Sequence, residues 1–177
     1  MNLTTKKLTT AAVIGACYAV LTMALAPISF GAVQFRVSEV LCILPFFLPH
    51  TAVGLFLGCA AANLLSAAGI MDVVFGSLAT LLAGLCAARI GRACRAERRA
   101  PRIGEALAAC AMPVVFNAPI VGAVLAWVYT PGELFWSGFW IFAAQVGLGE
   151  AAVLFALGYP AMRILPRAKA LQKWLYD

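Results

Sequence analysis

Charge is what this chain has least of. Only 11% of its residues are charged, and seven of its 177 residues are acidic, too few to solvate the surface of a soluble domain of this length. Histidine occurs once, as His50. The six cysteines (Cys17, Cys42, Cys59, Cys86, Cys94 and Cys110) form no CxxC pair and no metal-type spacing. They read as buried thiols, and no metal or cofactor is expected. A GxxxxGK[ST] phosphate loop is missing, so the chain has no means of using ATP by itself. HExxH and GxSxG are missing too, which leaves no recognisable hydrolase arrangement and argues against an enzyme. Nor is there an obvious pair of inverted repeats with matched broken helices, as a secondary carrier often has.

What fills the chain instead is apolar. Hydrophobic residues make up 64% of it and mean hydropathy is +0.96, the composition of an all-α integral membrane protein. The net charge of +6 would suit a nucleic-acid partner only if lysine and arginine were spread over a folded surface. Here they are confined to gaps between apolar runs, so no nucleic acid is expected. The apolar start reads as a first span rather than a cleaved signal, because the greasy character continues to the far end.

A single transmembrane domain over residues 1–177 is expected, with spans near 8–26, 37–48, 51–67, 71–91, 103–129 and 137–164. At 1.5 Å per residue a helix of about 20 residues covers roughly 30 Å of hydrocarbon. Val37 to Leu65 is too long for one untilted crossing, and Pro49-His50-Thr51 interrupts it, which favours two short tilted helices with His50 at an interfacial turn. Charge supports that count. With six crossings and the amino terminus inside, Lys6 and Lys7, the arginines at 89, 92, 95, 98, 99 and 102, and Arg163, Arg167, Lys169 and Lys173 all fall on the cytoplasmic side, leaving Arg36 outside. Five crossings would put one basic group on the wrong face.

Few polar residues interrupt the apolar runs, and each has two readings. Arg36 and Glu39, with Gln34 and Ser38 beside them, either form a local ion pair at a helix start or meet a polar ligand at the membrane boundary. Asn63, Ser66, Gly69 and Asp72 make a small polar group, with Asp72 either a helix cap or a ligand contact. Asn117 lies between Pro113 and Pro119, whose missing N–H groups free carbonyls at membrane depth, a plausible pocket wall. Glu150 sits halfway along the last span, where a carboxylate costs about 2.5 to 3.5 kcal/mol, so it should face a partner or a wet cavity. Trp136, Trp140, Ala143, Gly147 and Glu150 fall on one helical stripe, within about 40° of its centre. That stripe resembles a pocket wall, although the tryptophans also fit an interfacial belt. In the first span, Ala12 and Ala16 form a small-xxx-small pair that suits either a helix of the same chain or a separate membrane protein, and Gly54 and Gly58 form a GxxxG.

Three runs then carry a resemblance: Pro27-Ile28-Ser29-Phe30-Gly31, Gln34-Phe35-Arg36-Val37-Ser38-Glu39, and Asn63 through Gly69-Ile70-Met71-Asp72-Val73-Val74-Phe75-Gly76-Ser77-Leu78-Ala79-Thr80. With Asn117 and the Gly149-Glu150 pair, the sequence resembles the QueT family of queuosine-precursor transporters, substrate-binding S components of energy-coupling factor (ECF) importers. The resemblance implies a six-helix bundle in a bacterial plasma membrane that captures queuine or a related 7-deazaguanine from outside. It also implies a transmembrane coupling protein, met by the Ala12 and Ala16 face, and two cytoplasmic ATPases. In that setting Glu150 or Asp72 would accept from the guanine-like donor edge, Asn117 would meet the carbonyl or a ring nitrogen, Trp140 would stack, Glu39 would face the amine, and Arg36 would hold Glu39 or close the loop. Three alternatives stand beside it: an S component for another vitamin, a stand-alone proton-coupled carrier with Glu150 as proton site, and a membrane enzyme with Glu39 or Asp72 as base.

Overall fold

The computed structural model describes residues 5–31 and 33–168; Lys169 and Lys173 of the basic tail lie outside them. The described residues are helical, with no strand. Four stretches are long and apolar enough to cross a membrane: Thr5–Ala24, Asp72–Ile90, Ile103–Tyr129 and Gly132–Arg167. Two shorter apolar helices, Val37–Phe46 and Thr51–Asn63, lie between the first two. The chain is therefore an all-α, multi-pass membrane protein. Its surface agrees with that setting, since Leu8, Val20, Leu57, Ile70, Leu148 and Ile164 turn large apolar side chains outward.

Helix α1 (Thr5–Ala24) is followed by one turn, α2 (Ala26–Ser29), that opens at Pro27. Residues 33–36 are irregular and lead into a 3-10 helix over Val37–Phe46. Ten residues is long for a 3-10 helix, and its three-residue period stacks i over i+3, which puts Glu39 and Cys42 on one side. After the Pro49-His50 turn comes α3 (Thr51–Asn63). At about 2.0 Å and 1.5 Å per residue these two elements are each roughly 20 Å long.

A wide π turn over Asp72–Gly76 opens the next crossing and runs into α4 (Ser77–Ile90). The short α5 (Arg92–Ala96) carries part of the arginine-rich gap, and α6 (Ile103–Tyr129) follows with Pro113 and Pro119 inside it. The last apolar stretch comprises α7 (Phe135–Val153), a second π turn (Leu154–Gly158) and α8 (Tyr159–Ile164).

Small residues decide which helices touch. Gly15, Gly54 and Gly58 interlock α1 with α3 so closely that a Cβ on Gly15 would meet the Gly54 carbonyl, one on Gly54 the Ala11 carbonyl, and one on Gly58 the Gly15 carbonyl. On the other side, α6 and α7 meet where Gly122 faces Ala143 and Gly147 faces Ala118. The largest apolar core, around Phe46, Phe47, Leu154 and Met162, sits where the 3-10 helix, α6 and the second π turn converge. The arginine-rich end is tied down by hydrogen bonds. Arg95 donates to the carbonyls of Phe46 and Ala88, Arg163 to that of Pro101, and Arg99 makes two parallel bonds to Glu105 at 2.7 and 2.8 Å.

Candidate functional site

Between these two helix pairs the chain buries almost all of its membrane-depth polarity. Arg36, Glu39, Asn63, Asp72, Asn117 and Glu150 are each 2% exposed or less. They come from the irregular segment, the 3-10 helix, α3, the first π turn, α6 and α7, so the fold gathers residues that are up to 114 positions apart in sequence (36 to 150). Burial of ionisable groups at this depth demands partners, and the partners are specific.

Arg36 pairs with Asp72, its Nη2 lying 3.4 Å from Asp72 Oδ2, and not with Glu39 three residues on. Its guanidinium also lies over the Phe30 ring, 5.2 Å from the centroid. The local ion pair allowed by spacing is thus replaced by a pair across the fold. Glu39 is held from two sides: the Tyr18 hydroxyl donates to Oε1, and the Cys42 thiol, one 3-10 turn away, donates to Oε2 at 3.0 Å. Thr22 and Ser38 share a hydroxyl hydrogen bond of 2.6 Å beside them. Asn63 donates to the Asp72 carbonyl at 2.9 Å. Gly76 leaves the room for this, because a Cβ there would strike Asp72 Oδ1 and Asn63 Nδ2. Asn117 donates to Glu150 Oε1 at 2.7 Å, joining α6 to α7, and Glu150 lies within electrostatic reach of Glu39 and Arg36.

Several polar atoms here have no hydrogen-bond partner among the described residues. Ser29 Oγ, Arg36 Nε, Asn63 Oδ1, Asp72 Oδ1, Asn117 Oδ1 and Glu150 Oε2 are all buried and unpaired. A buried unpaired polar group costs about 1 to 3 kcal/mol, more if charged. Such a concentration at one place makes this group the candidate binding site. Beside it lies a cavity of about 170 Å³ lined by Phe30, Gly31, Gln34, Ser66, Ala67, Leu125, Tyr129 and Phe142. Phe30 faces both the cavity and the Arg36 guanidinium. Gln34, which also lines the cavity, rests on α7, its carbonyl against Gly149.

Trp140 does not join the group. It is 68% exposed, as Trp136 is at 69%, and both turn toward the lipid side. The reason is angular. Trp140 lies about 80° around the helix from Glu150, and the inward face of α7, marked by Val146, Gly149 and Val153, lies on the other side of Glu150. Ala143 and Gly147 pack against α6 rather than line a pocket. Tyr18, Thr22 and Cys42 adjoin the group through their hydrogen bonds to Glu39 and Ser38, Cys42 being buried as its apolar surroundings in the sequence suggest. The spacing of Tyr18 and Thr22, four apart on one face of an apolar helix, was their only signal.

Ala12 and Ala16 lie on the outer side of α1 and are exposed, while Ala11 and Gly15 make the contact with α3. Together with Gly54, Leu57 and Gly58 they line a shallow apolar groove of about 310 Å³.

Known proteins place this arrangement. Over 80 residues the chain is 40% identical to "Queuosine precursor transporter QueT" of Lactococcus lactis subsp. cremoris (strain MG1363), covering 44% of this chain and 47% of that protein, so the match spans about half of its relative's length. No solved structure matches. The family model described as QueT transporter matches residues 8–167, nearly the whole chain including every buried polar residue named above, and the chain belongs to that family.

Proposed function

We propose that the protein is the substrate-binding S component of an ECF-type importer, capturing queuine or a related 7-deazaguanine from outside for ATP-driven uptake. The observation that carries this reading is the set of unpaired buried atoms on Arg36, Asn63, Asp72, Asn117 and Glu150. A flat deazaguanine carries N–H donors along one edge and a carbonyl beside them, which complements such a set. Family membership and the printed name of the Lactococcus relative support the ligand class.

In this reading the chain crosses a bacterial plasma membrane six times, the 3-10 helix and α3 each crossing part of the bilayer as one of a tilted pair, with both termini cytoplasmic. The arginines between α4 and α6 support that orientation. Energy comes from two cytoplasmic ATPases through a transmembrane coupling protein. The groove that exposes Ala12 and Ala16 is the surface offered to that protein, because its glycine and alanine floor allows close helix approach.

Two measurements test the proposal. Purified protein titrated with queuine is expected to bind it with micromolar or tighter affinity; absence of binding would overturn the ligand assignment. Uptake of labelled queuine is expected to vanish in cells lacking the shared ATPases. Uptake that persists there and follows the proton gradient would instead establish a stand-alone carrier.

A further inference from the structure

The unpaired atoms are not evenly divided between donors and acceptors. Asn63 Oδ1, Asp72 Oδ1, Asn117 Oδ1 and Glu150 Oε2 are acceptors, and Arg36 Nε is the one obligate donor among them. The Asn63 amide is oriented by the Asp72 carbonyl, to which its nitrogen donates, and the Asn117 nitrogen donates to Glu150. What fits here is rich in N–H groups.

Charge is uneven as well. Among the described residues three carboxyl groups, Glu39, Asp72 and Glu150, are buried with a single buried cation, Arg36. Asp72 has Arg36 as its ion-pair partner. Glu39 has a hydrogen bond on each oxygen, from Tyr18 and from Cys42. Glu150 has neither arrangement. Its one hydrogen bond comes from the neutral amide of Asn117, and Oε2 has no partner. A buried carboxylate without a direct ion-pair partner is unfavourable, and a cation brought to Oε2 would relieve it.

We infer that Glu150 is the specificity-determining counter-charge for a protonated amine on the ligand. The protein then selects amine-bearing 7-deazaguanines over uncharged ones of the same shape, while Asn63, Asp72 and Asn117 hold the ring edge and Arg36 Nε its carbonyl. This inference rests on the ligand class proposed above and moves the amine from Glu39 to Glu150.

The test compares three probes, 7-aminomethyl-7-deazaguanine, 7-cyano-7-deazaguanine and 7-methyl-7-deazaguanine, by calorimetric titration of the purified chain. Wild-type protein is expected to prefer the amine at least about tenfold over both uncharged probes, the low end for a buried charge pair. In Glu150→Gln that preference is expected to fall to near unity while the uncharged probes keep their affinity. Equal wild-type affinity for all three would overturn the inference and leave the ligand class standing. So would a Glu150→Gln protein that loses all three equally, which would put Glu150 at the ring edge. Binding of none of the three by wild-type protein would overturn both. If Glu150→Gln fails to fold, Glu39→Gln decides between the two carboxyl groups: it is expected to keep the wild-type preference for the amine, and loss of that preference there would overturn the assignment to Glu150.

Discussion

Replacing Gly54 with alanine isolates the packing on which the site depends. A Cβ at this position would overlap the carbonyl oxygen and carbon of Ala11, atoms of the α1 backbone that no rotamer change can move aside. Overpacking of this kind costs about 1 to 3 kcal/mol, and contact with backbone on a rigid helix places it at the upper end. Against this stands the helix propensity of alanine, which exceeds that of glycine by about 1 kcal/mol in a helix interior. The clash wins by about 2 kcal/mol, equivalent to a fall in Tm of roughly 4–8 °C for a chain of this size. Because α1 carries Tyr18, its displacement also withdraws the hydroxyl from Glu39 Oε1. Thermal unfolding of purified Gly54→Ala in detergent measures the first effect, with Ala12→Val as control, since Ala12 is exposed on the outer side of α1. A Gly54→Ala protein as stable as wild type, or more so, would refute the close approach of α1 and α3. An Ala12→Val protein that lost as much would refute the division of α1 into an inner and an outer face.

Further outcomes follow from the same geometry. Gly149→Ala sets a methyl group against the Gln34 backbone carbonyl, a clash of the same kind as at Gly54, so Tm should fall and ligand dissociation measured by stopped-flow should quicken. Arg36→Ala leaves the buried Asp72 without its cation, and loss of one partner of such a pair costs about 3 to 5 kcal/mol, to be read as a large drop in Tm. Outside the spans, burial and then the hydrogen bond and charge of Glu105 push the Cys94 thiol up to about 11. Site-resolved alkylation of Cys94 should therefore be slow at pH 8 and rise only as pH approaches that value. Glu105→Ala should move the rise to lower pH, because it removes two of the influences that disfavour the thiolate.

Much of the site was legible because polarity at membrane depth is expensive. Arg36, Glu39, Asn63, Asp72, Asn117 and Glu150 stand out in an apolar sequence for that reason, and the structure brings all six together. Their partners were not legible. Spacing offered Arg36 to Glu39, whereas the π turn at Asp72–Gly76 places Asp72 where Arg36 can reach it. The stripe from Trp136 to Glu150 does not coincide with the inward face of α7: Glu150 sits at the edge of that face, and Trp136 and Trp140 on one side of it are exposed. Ala12 and Ala16 could equally have met a helix of the same chain. Only the fold assigns that contact to Ala11 and Gly15 and leaves the pair exposed. The 3-10 winding of Val37–Phe46, which joins Cys42 to Glu39, has no clear mark in a sequence whose apolar run suits an α-helix as well.

The most direct measurement is a structure of the protein with 7-aminomethyl-7-deazaguanine bound. The account predicts the ring among Asn63, Asp72 and Asn117, its carbonyl toward Arg36 Nε and its amine within hydrogen-bond distance of Glu150 Oε2. A ligand seated instead against Trp140, or in the groove beside Ala12 and Ala16, would contradict it.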